Sequence, residues 1–315
     1  MPVDVSIIIV SYNTRAILLD CLASIYQWLP SRTSEIIVID NASTDGSAEA
    51  VAQRFPGVRL VRNTENAGFA KANNQGIQQA TGQYLLLLNP DTLFIEDTIT
   101  PLLAFMEQHP EAGIAGCKIL NRDGSLQPSY FPLPNLASVL WTAFFFDRLA
   151  PLNHVNGKWV LRHQPAASPF RVQRLLGAFL FVRREVFKKI GGFDEGFFLY
   201  SEEEDLCYRV LQLRWVIYYF PQTSIIHLGG QSAPRTDPRA VVYANESKVR
   251  FFRKHYGPAT QLLFRSIWFV ALIIRMPAVL WLAPSKQRAM FKAYQRSLAA
   301  LFQPLTAIRA REELW

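Results

Sequence analysis

Apolar positions in the first third of the chain fall into short unbroken runs, separated by stretches of helical period. Val5 to Ser11 (VSIIIVS) is a β-branched run bounded by polar residues, the pattern of a strand buried on both faces. Behind it Asn13 or Thr14 can cap a helix whose apolar positions Ile17, Leu18, Leu22 and Ile25 follow a helical period. Glu35 to Asp40 (EIIVID) predicts a second buried strand. A turn-rich loop, Asn41 to Gly46, leads into a helix over 47–55. Val58 to Val61, Ala67 to Ala80 and Tyr84 to Leu88 continue as strand, helix and strand. Such alternation implies right-handed crossovers and a mostly parallel α/β sheet flanked by helices.

The pattern loosens after about residue 120. Pro128, Pro132, Pro134, Pro151, Pro165 and Pro169 punctuate residues 121–175, around an apolar cluster from Val139 to Phe146. This stretch reads as an insertion near the sheet edge, not as a second Rossmann half. Order returns with a strand at Leu176 to Val182, helices near 184–190 and 202–213, and a strand at Val216 to Phe220. A helix over 239–255 and an apolar stretch at 262–283 follow.

Composition narrows the class. Of 315 residues, 50% are hydrophobic and 18% charged, which excludes a disordered or collagen-like chain. The formal charge of +8 is unevenly spread: residues 243–315 carry 12 Lys/Arg against 3 Asp/Glu, while residues 1–242 are close to neutral. A basic tail suggests an anionic lipid surface or nucleic acid, or simply a solvated face. No nucleic-acid recognition module is present to favour that partner. Cys21, Cys117 and Cys207 are widely separated, suit no metal knuckle or redox pair, and fit a reducing compartment. The N-terminus enters a strand-like run without a basic n-region, so no secretory signal is expected.

In open α/β sheets, ligands bind beyond the carboxyl ends of the strands. Polar residues occupy those ends here: Ser11-Tyr12-Asn13, Asp40-Asn41 and Asn89-Pro90-Asp91. No GxGxxG follows the first strand, which argues against a nicotinamide cofactor. Asp40 suits a base or ribose contact, or a turn. Asp91, delivered by LLLLNP, suits Mg2+ or Mn2+ shared with substrate phosphates, or a helix cap. His227, after an apolar Ser224-Ile225-Ile226, becomes a candidate metal ligand only if the fold brings it to Asp91. Glu202 to Asp205 are four consecutive acids opening a helix. That is favourable placement in the helix dipole, but four carboxylates in one turn also raise one another's pKa, which suits a general base.

The order of these motifs resembles the family 2 glycosyltransferases of the GT-A fold, and their rhamnosyltransferase-like branch most of all. The matching segments are SIIIVSYN, EIIVIDNASTDGS, NAGFAKANNQGI, YLLLLNPDT, GAFLFVRREVFKKIGGFDEGFFLYSEEEDLCYR and HLGGQS, over roughly residues 3–120 and 175–256. The resemblance implies a catalytic domain over 1–257, with a nucleotide-sugar half at 1–120, the insertion at 121–175 and an acceptor and base half at 176–257, which leaves 258–315 as a basic and apolar helical tail expected to associate with a membrane. It implies inverting, metal-dependent transfer from a nucleoside diphosphate sugar to a saccharide, expected to be lipid-linked or part of a cell envelope. Thymidine diphosphate rhamnose is the donor expected by resemblance.

By the same resemblance, Glu203 is the catalytic base. Asp40 and the end of the first strand hold the nucleotide. Asp91 takes the last position of the Asp-x-Asp motif, with His227 completing the metal site. Ser11, Tyr12, Asn13, Asn41, Gly68, Lys71 and Asn89 are the further candidates on the donor side; Gly177, Ala178, Glu202 and Asp205 are those on the acceptor side. Lys71 can hold the diphosphate or be a surface lysine, and Gly177-Ala178 can leave room for a sugar or permit close packing. Two departures stand out: Asn89 replaces the first Asp of Asp-x-Asp, and Glu203 replaces a more usual Asp. A sugar-phosphate nucleotidyltransferase is the competing enzyme class, but it usually carries a glycine-rich basic loop where this chain has SYNTRA. A non-catalytic membrane-bound scaffold is the other competitor.

Within 262–283, Arg265, Arg275 and Pro277 interrupt the apolar run. A central Arg costs a spanning helix roughly 2.5–3.5 kcal/mol. At about 100° per residue, Gln261, Arg265, Arg275 and Lys286 fall within an arc of about 80°, a narrow polar stripe on an apolar helix. Pro277 is expected to kink it, and Trp268 and Trp281 suit a headgroup region. The segment is expected to be an interfacial helix on the cytoplasmic face of the inner membrane. A span and a domain-packing or homodimer helix are the alternatives.

Overall fold

The computed structural model describes residues 3–29, 34–144, 152–155, 158–161, 167–229, 237–281 and 284–302. Its first half alternates as the sequence implies: β1 (Val5–Ser11), α1 (Arg15–Trp28), β2 (Ser34–Asp40), α2 (Ser47–Arg54), β3 (Arg59–Arg62), α3 (Phe69–Gln79) and β4 (Tyr84–Leu88). All seven residues of β1 are buried. Ile7 and Ile9 pack with Leu18, Leu22 and Ile25 of α1, whereas Ile8 and Val10 pack with Ala70 and Ala72 of α3. Helices on both faces explain why the strand is apolar at consecutive positions instead of alternating.

After β4 come β5 (Thr92–Phe94), α4 (Ile99–Gln108) and β6 (Ala112–Leu120). The second half holds β13 (Phe179–Arg183), α6 (Arg184–Ile190), α7 (Glu202–Gln212) and β14 (Val216–His227). Between the halves lie β7 (Leu126–Gln127), β8 (Tyr130–Phe131), α5 (Leu136–Ala143), β9 (Leu152–Val155), β10 (Lys158–Leu161), β11 (Phe170–Val172) and β12 (Arg174–Leu175). The main sheet runs β11-β14-β6-β13-β4-β1-β2-β3. β4, β1, β2 and β3 are parallel neighbours, and β14 is parallel to β6. β13 runs antiparallel between β4 and β6, and β5, β7 and β11 are also antiparallel to their neighbours, so the sheet is mixed. The carboxyl ends of β1, β2, β4 and β14 therefore share one rim, and β13 begins there.

Two features go beyond the pattern in the sequence. β6 (AGIAGCKIL) is a central strand rich in small residues. A Cβ on Gly113 would lie 2.9 Å from the Trp215 Cβ, and one on Gly116 3.0 Å from Leu175, so close packing takes the space a larger side chain would fill. β14 continues past Pro221 to His227 through an irregularity in its pairing with β6 between Phe220 and Ser224. Proline within a sheet is confined to such irregular or edge positions. Residues 121–175 do reach the sheet edge: β11 is the end strand on β14, and β12 pairs with β8.

The chain then forms α8 (Pro238–His255), α9 (Pro258–Arg275), a 3-10 turn (Met276–Trp281) and α10 (Pro284–Ala300). Phe264, Trp268, Ala271 and Leu272 of α9 pack with Val139 and Ala143 of α5 and with Val249 and Phe252 of α8. The rings of Phe252 and Phe264 stack 4.2 Å apart. A buried chain of hydrogen bonds, Trp268 Nε1 to Asn245 Oδ1 (2.9 Å) and Asn245 Nδ2 to Ser297 Oγ (3.0 Å), ties α8, α9 and α10 together.

This packing sets which way α9 faces. Gln261 donates to the Tyr256 carbonyl, and Arg275 donates to the Ala143 carbonyl while lying 5.3 Å from the Trp268 ring. The polar stripe thus turns toward the protein, and Leu262, Leu263, Phe269, Val270, Ile273 and Ile274 are exposed. α9 ends at Arg275, and Pro277 lies in the 3-10 turn. The Lys286 side chain, Gly230 to Ser232 of the HLGGQS segment, Phe145 and Phe146, and residues from 303 onward lie outside the described residues.

Candidate active site

The rim expected to face a donor is built at the ends of β1 and β2. Asp40 is 4% exposed. Its Oδ2 accepts from the Ser43 N–H at 3.1 Å, but its Oδ1 is buried without a hydrogen-bond partner. A buried acceptor left unpaired is costly, so Asp40 is prepared to receive a donor group from a ligand. Asn41 is different. Its Nδ2 donates to Asn66 Oδ1 (2.7 Å) and its Oδ1 accepts from Asn63 Nδ2 (2.9 Å) and Ala67 N (3.0 Å). Its amide is consumed in holding the 63–68 loop. Ser11 Oγ is buried against Thr14 Oγ1 at 2.9 Å. Asn13 has φ +52°, and its Oδ1 accepts from Thr44 N at 2.8 Å, which joins the loops after β1 and β2. Tyr12 projects from this rim and is partly exposed. Ser11, Asn13 and Asn41 therefore shape this rim, while Asp40 keeps an unpaired acceptor in it.

Gly68 precedes α3 at φ +82°, and a Cβ there would lie 2.7 Å from Phe198 Cδ2 and 2.8 Å from the Phe198 carbonyl oxygen. Only glycine suits both the backbone and the space. Lys71 is exposed in the first turn of α3.

The fold does bring His227 to Asp91. His227 pairs with Thr92 across β14 and β5, and Leu228 N–H donates to the Asp91 carbonyl at 2.9 Å. His227 Nε2 lies 3.3 Å from Asp91 Oδ1. On the other side of the ring, Nδ1 lies 2.6 Å from Gln127 Oε1. Gln127 Nε2 donates to Asn121 Oδ1 (2.8 Å), which fixes the amide so that Oε1 must accept and Nδ1 must donate. Nε2 then presents either a lone pair or a second proton to the carboxylate. A lone pair on Nε2 beside the Asp91 carboxylate makes a place where a cation can sit. The donor set of one carboxylate and one imidazole fits Mg2+ or Mn2+ with its other positions left to water and phosphate oxygens. Among the described residues no group of three or more His, Cys, Asp or Glu is placed to hold a metal ion. Asn89, where Asp-x-Asp would place another acid, donates its backbone N–H to the Ala178 carbonyl at 3.0 Å.

That bond joins β4 to the turn Gly177-Ala178, and the turn abuts the acidic helix start. A Cβ on Gly177 would meet Glu203 Cβ at 3.5 Å and Cγ at 3.6 Å. The four acids of α7 then separate by environment. Glu202 is buried with Oε2 unpartnered, and burial and the neighbouring carboxylates push its carboxyl well up. Burial and Glu204 also push Glu203 up, partly offset by Arg174. Glu204 is buried too, yet Lys248 and Arg174 outweigh burial and hold it below the ordinary range. Asp205, fully buried, is lowered because His255, Arg209 and Lys254 outweigh its burial. His255 Nε2, Arg209 Nε and Lys254 Nζ each lie 2.7 Å from its carboxylate. Asp205 is thus a tie between α7 and α8. Glu203 alone combines a raised proton affinity with a place beside the Gly177-Ala178 turn.

Three residues of this site carry no sequence signal. Gln127, Arg174 and Lys248 come from the insertion and from α8, and no motif or spacing points from them to Asp91 or Glu203.

The family model for glycosyl transferase family 2 matches residues 6–191. Among curated relatives, N-acetylglucosaminyl-diphospho-decaprenol L-rhamnosyltransferase of Mycobacterium tuberculosis is 32% identical over 237 residues, spanning 70% of this chain and 75% of the relative. The dTDP-rhamnosyl transferase RfbF of Shigella flexneri is 23% identical, spanning 82% of this chain and 83% of the relative. Among solved structures, the mannosyltransferase PcManGT of Pyrobaculum calidifontis, in complex with GDP-Man and Mn2+, has a TM-score of 0.57 at 18% identity and covers 97% of this chain and 88% of that chain, a likeness of fold. With the family match spanning more than half of the chain, this chain belongs to the family 2 glycosyltransferases and has their GT-A fold.

Proposed function

We propose that the protein transfers rhamnose, with inversion, from thymidine diphosphate rhamnose to a hydroxyl of a polyprenyl diphosphate-linked saccharide. The observation that carries this reading is the meeting, at one rim, of Glu203 against the Gly177-Ala178 turn and the Asp91–His227 pair beyond β4. The names of the two rhamnosyltransferase relatives support the donor, and that of the mycobacterial relative supports a lipid-linked acceptor.

Glu203 accepts the proton of the acceptor hydroxyl as that oxygen bonds to the anomeric carbon. The C–O bond to the diphosphate breaks on the opposite face and the electron pair leaves with the nucleotide. Burial suits Glu203 to this part by raising its proton affinity above that of an ordinary carboxylate. Asp40 Oδ1 receives an N–H of the base. Asp91 and His227 would hold the divalent ion, which when bound offsets charge on the departing diphosphate. The exposed apolar face of α9 rests on an anionic membrane surface, the cytoplasmic face of the inner membrane, where a lipid-linked acceptor is met, and the net positive charge of residues 243–315 favours that surface.

Incubation of the purified protein with dTDP-rhamnose, Mg2+ or Mn2+ and a polyprenyl diphosphate-linked N-acetylglucosamine tests this. A product heavier by one deoxyhexose, with inverted anomeric configuration by NMR and stoichiometric dTDP, is expected. Transfer of a nucleotidyl group to a sugar phosphate would overturn it.

A further inference from the structure

We propose that Arg174 is a positioning residue for Glu203, sharing one guanidinium nitrogen between Glu203 and a competing carboxylate, Glu204. The inference rests on the reading of Glu203 as the proton acceptor. Arg174 Nη1 lies 2.6 Å from Glu204 Oε1 and 3.4 Å from Glu203 Oε1. Lys248 Nζ, from α8, contacts both oxygens of Glu204 at 3.0 and 2.9 Å. Glu204 is held by two cations, and Glu203 receives the longer share of one. The guanidinium is steadied from the other side: its carbon lies 4.6 Å from the centre of the Phe131 ring, on the strand paired with β12. Arg174 and Phe131 both belong to the insertion, so the segment without a family motif reaches the reacting group.

The charged and titratable groups facing Glu203 are Glu202 and Glu204 on its own helix, Cys207 one turn on, Arg174 from β12 and Lys248 from α8. Burial keeps the Cys207 thiol neutral, pushed up to about 12, and favours neutral Glu202. With Glu203 ionised, two anions then face two cations. Once Glu203 takes the proton, the cluster carries one excess positive charge in a water-poor site, which favours handing that proton on. Removing Arg174 shifts this balance toward protonated Glu203. Removing the charge of Glu204 frees Nη1 for Glu203 and shifts it the other way.

The test is the pH dependence of kcat/KM for transfer from dTDP-rhamnose to polyprenyl diphosphate-linked N-acetylglucosamine, with dTDP binding measured on each variant. Arg174→Met should move the acid limb to higher pH by about one unit, a loss of about tenfold below it. Glu204→Gln should move the limb to lower pH, and Arg174→Lys should fall between Arg174→Met and the parent. Opposite shifts support the proposal. Shifts in the same direction, or an unmoved limb with a lowered melting temperature, overturn it and leave Arg174 a structural tie. Parent-like turnover in Glu203→Gln would instead remove the reading on which the proposal rests, whatever Arg174 does.

Discussion

His227 faces Asp91 across 3.3 Å with its other ring nitrogen committed to Gln127 at 2.6 Å. The pair is thereby poised to share a cation, and Gln127 sets which nitrogen does so. Asp91→Ala should abolish transfer and weaken dTDP binding in Mn2+, as read by calorimetry. Gln127→Ala should keep the fold and lower apparent metal affinity by roughly 10–100-fold. Full activity in excess chelator would contradict both.

Acid should loosen the contact of α8 with the body before the sheet. Lys254 Nζ bridges Asp194 (2.8 Å) and Asp205 (2.7 Å), and Arg250 holds Asp194 at 2.9 Å. Although burial opposes it, Lys254, the Gly196 N–H and Arg250 bring the Asp194 carboxyl down to about 2. A pKa lowered by folding gives stability that is present above the unfolded value, near 4, and is lost as pH falls toward the folded one. Asp194→Asn should cost about 1 kcal/mol at neutral pH, allowing for solvent screening, and should flatten the fall in melting temperature between about pH 4 and 2. Asp205→Ala, which leaves buried cations uncompensated, should cost roughly 3 kcal/mol. An unchanged acid limb of stability in Asp194→Asn would count against the ion-pair account.

α9 is long and apolar enough to cross a membrane by length and composition, and only 22% of it is buried. One such helix is weak grounds for a span, and its outward face is equally suited to lying on a surface. Leu263→Glu and Phe269→Glu change exposed side chains, so folding and dTDP binding should be kept. Both should reduce cosedimentation with anionic vesicles severalfold, and high salt should do so in part. If the parent protein ignores such vesicles at low salt and dimerises instead, the face is a self-association surface.

Much of this architecture is legible in the sequence because burial on both faces leaves an unmistakable run, as in β1 and β4. Three candidate site residues are legible for a related reason: Asp40 and His227 end β2 and β14, and Asp91 follows β4 within three residues. β6 is not legible, since its Ala and Gly positions reflect the close approach of Trp215 and Leu175. β14 is cut short on paper by Pro221, which the sheet absorbs in an irregularity. Four acids in a row look alike in a sequence; only the arrival of Arg174, Lys248, Lys254 and His255 from distant segments tells Glu203 from Glu204 and Asp205. Helical spacing likewise reveals a polar stripe on α9, but not that Arg275 on that stripe bonds to Ala143, leaving the apolar side outward.

The central claim, that Glu203 takes the acceptor proton, is tested most directly by Glu203→Gln. Turnover should be measured with the lipid-linked acceptor at saturating dTDP-rhamnose, beside dTDP affinity by calorimetry. The account predicts a loss of roughly 10²–10⁴-fold in kcat with dTDP affinity unchanged. Turnover within a fewfold of the parent, or a comparable loss in Glu202→Gln with Glu203→Gln active, would contradict it.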